Sequence, residues 1–95
     1  MNVMYTLTHD DKRYTPIHSE IGGIEGIITP LLTYDTLDID ELFKAVQKDR
    51  LHEGIDFVSM EEVRNTIGDI VSFNIRVGTI HKVLEHYLFV CKEDK

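Results

Sequence analysis

Hydrophobic and polar positions alternate at the start of the chain. Val3, Tyr5 and Leu7 are interleaved with Met4, Thr6 and Thr8, and Tyr14, Thr15 and Ile17 follow a polar break. A period of two marks a half-buried strand, so residues 3–18 read as a β-hairpin. The break His9-Asp10-Asp11-Lys12 supplies the turn, because Asp side chains bond nearby amides and tolerate turn backbone. Pro16 has no amide hydrogen to give a ladder, which predicts that the second strand is an edge or stops there.

Gly22, Gly23 and Gly26 follow closely. Each would cost a helix about 1 kcal/mol relative to Ala, so this stretch reads as a flexible loop leading to a short strand near Ile27–Thr33. Residues 38–50 change the period. Ile39, Leu42, Phe43 and Val46 recur at helical spacing, and Asp38 with Glu41 makes a capping box, stapled by Leu37 and Leu42. Asp40 precedes Lys44 by four residues, and Lys48 and Arg50 close the last turn, as the helix dipole favours.

Ile55-Asp56-Phe57-Val58 reads as a very short strand. Ser59 and Glu62 then repeat the capping pattern, with Met60, Val63 and Ile67 on one face and Gly68 as the stop, predicting a helix over 60–67. Val71, Phe73, Ile75 and Val77 alternate with Ser72, Asn74 and Arg76, a half-buried strand. After Gly78, Thr79 can cap a last helix whose stripe is Ile80, Val83, Leu84, Tyr87, Leu88 and Cys91; a terminal strand over 87–92 is the competing reading. The elements do not alternate regularly. The expectation is therefore an α+β fold: a small antiparallel sheet, made of the N-terminal hairpin and the strand near 70–77, with two to three helices packed on one face.

Ninety-five residues, 42% of them hydrophobic and 28% charged, suit a single globular domain spanning 1–95. So small a core gains from self-association, which keeps a homodimer open beside a monomer. Cys91 is the sole cysteine, so no internal disulfide forms. With no basic, apolar leader at Met1 and no apolar run of membrane-spanning length, a cytoplasmic address is expected, with no membrane partner.

The formal net charge is −7, and its placement matters more than its size. Between Tyr14 and Phe43 there are six acids and no Lys or Arg, and between Asp35 and Glu62 nine acids face three bases. Such a field repels phosphate backbones and argues against direct nucleic-acid binding; it would attract a basic partner. Capping needs only Asp38 and Glu41, so Asp35 and Asp40 are surplus. Asp35, Asp38, Asp40 and Glu41 are accordingly the candidate partner-binding residues.

Other chemistry is sparse. On a helix His81 and His86 would fall on different faces, and a site needs three or four ligands, so no metal is expected. Cys91 sits on an apolar stripe without an activating base, and no cofactor motif is present. Gly22, Gly23 and Gly26 lack the Lys and Ser or Thr of a nucleotide loop, leaving an alternative in which this loop closes over a small molecule or nucleotide, within one chain or at a dimer interface. A further alternative, a helix-turn-helix regulator built from 59–68 and 79–84, suffers from ten strand-like residues between the two segments. The leading expectation is a non-enzymatic inhibitor or adaptor that docks its carboxylates on a basic surface of a larger protein, with a nucleic-acid-binding surface as one candidate.

Overall fold

The computed structural model describes residues 6–25, 38–52 and 54–91. Along them run β1 (Leu7–His9), β2 (Lys12–Ile21), β3 (Ile24–Glu25), α1 (Ile39–Arg50), β4 (Phe57–Arg64), β5 (Ile70–Gly78) and β6 (Val83–Cys91). The helix forms where its cap and stripe place it: the Glu41 amide donates to Asp38 Oδ1 at 3.0 Å, and Ile39, Leu42 and Val46 are buried. The first hairpin forms at the expected break, with Asp10 and Asp11 both in the left-handed region (φ 51 and 67) between the paired His9 and Lys12.

The rest of the α+β expectation is overturned. The fold is mostly β: a six-stranded antiparallel sheet curled into a half-barrel, with α1 the only α-helix among the described residues. The strand order is β1-β2-β6-β5-β4, with β3 attached to β2. Residues 60–67, expected to be helical, belong instead to β4 and the turn that follows it. Val58 and Met60 face the core and Ser59 and Glu61 face out, a period of two that the capping pattern at Ser59 and Glu62 concealed. The second misread helix, 79–91, is the turn and strand of β6. That strand lies between β2 and β5 and has apolar residues on both faces, so its sequence carries no clean alternation. Inward go Tyr87 and Phe89, both fully buried; outward go Leu84, Leu88 and Val90.

Two local devices behave differently from expectation. Pro16 neither ends β2 nor marks it as an edge, because β2 runs on to Ile21 and pairs with β6. The register slips between Pro16 and His18, leaving Ile17 as an extra residue, 61% exposed; a bulge is one of the few strand positions that accept proline. Thr79 does cap, but it caps a turn: its hydroxyl accepts from the amides of His81 and Lys82 at 3.1 and 3.3 Å. The expected strand near Ile27–Thr33 lies outside the described residues.

The core sits in the concavity. Leu7, Tyr14, Phe73, Ile75, Val77, Tyr87 and Phe89 from the sheet meet Ile39, Leu42 and Val46 of α1. The helix touches both outer strands, β1 and β4, and so spans the open side of the half-barrel. This sets α1's start beside the β1–β2 turn and its end beside β6. No helix among the described residues is long and apolar enough to cross a membrane.

Candidate functional site

The acids at the start of α1 acquire neighbours from β1. Thr8 forms a parallel bridge with Asp38, which lays β1 alongside the chain entering the helix. The next residue, His9, faces the concave side with its ring edge-on to Phe73 at 5.1 Å. Its side chain is 15% exposed and stands between two carboxylates: Nδ1 is 3.5 Å from Asp40 and Nε2 3.5 Å from Asp10. The β1–β2 turn therefore adds Asp10 and Asp11 to Asp38, Asp40 and Glu41. Two of these five acids, Asp10 and Asp40, flank the imidazole, and the positive end of the helix dipole favours those in the first turn.

Elsewhere the acids are largely paired. Glu61 meets Arg76 at 3.1 Å, Glu62 meets Arg64 at 3.0 Å, and Asp49 meets Arg50. Asp56 accepts from the Ile80 amide at 2.8 Å, holding the β5–β6 turn. The excess between Asp35 and Glu62 is thus divided, because Arg64 and Arg76 come from outside that window to neutralise two of its members. Asp35 lies outside the described residues.

Beside the acidic pole is a cleft of about 260 Å³ whose lining includes His9, Lys12, Tyr14, Arg64, Asp69 and Ile70. Lys12 approaches Asp69 at 3.6 Å, and Arg64 donates to the Gly68 carbonyl at 2.7 Å. Tyr14 donates its hydroxyl to the Ile70 carbonyl at 3.0 Å, and burial raises its pKa. The lining carries both signs of charge over an aromatic and aliphatic floor, which suits a small polar ligand.

At the other end of α1, about 18 Å away for twelve residues, a polar cluster is enclosed in the concavity. Tyr87 donates to Glu85 Oε1 at 2.6 Å, and Arg50 Nε donates to Glu85 Oε2 at 3.2 Å. The side chains of Arg50 and Glu85 are 19% and 16% exposed. Burial first, and the hydrogen bond to Glu85 second, raise the Tyr87 pKa well above the ordinary phenol range. Next to Tyr87 in the register is Ser19, 2% exposed, whose hydroxyl has no hydrogen-bond partner. A nucleophilic serine needs a base within hydrogen-bond reach, and Ser19 has none.

The remaining sequence candidates are dispersed. Gly22 and Gly23 form the two-residue turn between β2 and β3, with φ of 59 and 87, and the Gly22 amide donates to the Leu84 carbonyl at 3.0 Å. That turn geometry explains both glycines, while Gly26 lies outside the described residues. Cys91 is half-buried against the core. The segments compared with a helix-turn-helix are β4 and β6 with their turns, so neither is a helix. Among the described residues no three His, Cys, Asp or Glu side chains gather closely enough to hold a metal ion. Sequence reasoning missed His9, Asp10 and Asp11 as members of the pole. The turn signal was legible, but the bridge from Thr8 to Asp38 that brings it to the helix crosses thirty residues of chain. No protein-family model matches the chain, nor does any curated protein or solved structure.

Proposed function

We propose that this chain is a non-enzymatic protein-binding module whose acidic pole docks on a basic surface of a larger protein. The observation that carries the reading is the approach of the β1–β2 turn, with Asp10 and Asp11, to the start of α1, with Asp38, Asp40 and Glu41, where His9 lies between Asp10 and Asp40. Ion pairing of Asp49, Glu61, Glu62 and Glu85 elsewhere weakens the negative field away from this end. A field of one sign focused at one pole accelerates encounter with a cationic surface and orients it.

The test compares the wild-type chain with an Asp10→Lys/Asp40→Lys variant, both immobilised and offered the same host lysate. The expected result is a protein retained by the wild type, released as salt rises, and lost from the variant. A captured set that ignores the charge reversal, or a wild-type column that retains nothing, contradicts the reading.

The cleft supports a second reading, a binder of small polar molecules, with Lys12, Arg64 and His9 offering donors and Asp69 an acceptor. This moves the small-molecule alternative away from the Gly22-Gly23 turn. A thermal-shift panel of metabolites separates the two readings, because a ligand at a hundred times its Kd adds about 2.7 kcal/mol.

A further inference from the structure

The convex face of the sheet, away from α1, carries a different constellation. Glu20 stands opposite His86 and Leu88 opposite His18, so the two histidines are diagonal neighbours on adjacent strands and the same face. Their ring centroids are 5.8 Å apart, with the planes crossing at 60°. With metal–nitrogen bonds of about 2.0–2.1 Å, two imidazoles on one ion have ring centres about 5.2 Å apart at a tetrahedral angle and about 6.4 Å apart when opposed. The observed separation falls between those limits.

The third strand fixes one of the rings. Asn74 pairs with Leu88 across β5 and β6, is 8% exposed, and places its Oδ1 2.7 Å from His86 Nε2. An amide oxygen only accepts, so Nε2 carries the hydrogen and Nδ1 keeps the lone pair. The two nitrogens of an imidazole diverge, so that lone pair points away from Asn74. A histidine that gives one N–H to a protein carbonyl and offers the other nitrogen is the usual outer-shell arrangement of a ligating imidazole. Arg76 lies opposite His86 on β5 and is paired with Glu61 at 3.1 Å, while Glu20 faces His86 from β2. Arg76 acts on His86 more strongly than either carboxylate, so the imidazole nitrogens, and not the surrounding charge, are what recommend the site to a metal ion.

We propose that His18 and His86 form a two-imidazole chelate for a late first-row divalent cation, with Asn74 orienting His86 and water filling the other coordination positions. Cu²⁺ binds tightest and Zn²⁺ more weakly, following the general order for nitrogen ligands. The site is independent of the acidic pole, which lies on another part of the surface.

The probe is Cu²⁺ alone, titrated at neutral pH into the whole chain, followed by histidine ring-proton NMR and calorimetry. At substoichiometric Cu²⁺ the ring signals of His18 and His86 broaden together, ahead of those of His9, His52 and His81, and one equivalent binds. His18→Ala and His86→Ala each weaken that affinity by about tenfold or more, while His81→Ala leaves it unchanged. Because both histidines project from the outer face, the variants keep the wild-type circular dichroism spectrum. Uniform broadening of all five histidines, no binding, or wild-type affinity in His18→Ala overturns the proposal; the wild-type NMR result decides it even if a variant fails to fold.

Discussion

Tyr87→Phe removes one oxygen atom, and its consequence depends on whether residues 85 and 87 share a face. In β6 they do, and the Tyr87 hydroxyl donates to Glu85 Oε1 at 2.6 Å inside the concavity. In a helix, residues two apart point about 200° apart, and the two side chains could not meet. A hydrogen bond to a charged acceptor contributes about 1.5–3 kcal/mol. Glu85 keeps the Arg50 guanidinium and is 16% exposed, so the lower half of that range applies, about 1.5–2 kcal/mol. For a domain of this size the melting temperature should fall by roughly 6–15 °C. Glu85→Ala should cost more, about 2–3 kcal/mol, because it strips both Tyr87 and Arg50 of a half-buried partner. Urea unfolding of the two single variants and the double variant closes a thermodynamic cycle. A coupling of about 1–2 kcal/mol is expected. A coupling below about 0.5 kcal/mol would refute the shared face, and with it the placement of β6.

Three other perturbations probe separate parts of the fold. Gly78→Ala would press its Cβ against the Lys82 carbonyl and to 2.9 Å from Val83 Cα, both backbone, so the β5–β6 turn must shift; a loss of about 1–3 kcal/mol in denaturant unfolding is expected. Asp38→Ala deletes the acceptor for the Glu41 amide, at a cost of about 1 kcal/mol, and amide exchange in the first turn of α1 should speed up more than in β5. Alkaline pH should destabilise the protein. The Tyr14 and Tyr87 pKa values are both raised in the folded state, chiefly by burial. Above about pH 10 the unfolded chain loses these protons while the folded chain keeps them, so stability is intact below that pH and declines as pH rises, by up to about 1.4 kcal/mol per unit per tyrosine. Tyrosinate absorbance should show two of the four tyrosines ionising only as the protein unfolds.

Signals confined to a few residues of sequence were legible, and those that depend on partners were not. The α1 cap and stripe, the Asp10-Asp11 turn and the alternation of β5 each lie within one short window, and each forms as its pattern predicts. β4 and β6 were misread for a shared reason. Ser59 with Glu62, and Thr79 before an apolar run, satisfy helix-start chemistry, but hydroxyl and carboxylate side chains bond turn amides equally well, as Thr79 and Asp56 do around the β5–β6 turn. In β6 the inward set includes a charged residue, Glu85, and the outward set is apolar apart from His86, which blurs the usual contrast. Only knowledge that Arg50 and Tyr87 meet Glu85 would restore it. The site was half legible for the same reason: Asp38, Asp40 and Glu41 share one helical turn, whereas His9, Asp10 and Asp11 join them through the bridge between Thr8 and Asp38, far apart in sequence. Pairing of Arg64 and Arg76 with Glu62 and Glu61 removes charge that a count along the sequence assigns to the same cluster.

The near-surface electrostatic potential can be read amide by amide, from the difference in paramagnetic relaxation caused by a cationic and an anionic nitroxide of the same size. The account predicts the most negative values over Asp10, Asp11, Asp40 and Glu41, with values near zero along β4, where Glu61 and Glu62 are paired. A flat potential over the whole surface, or a minimum on β4, would contradict it.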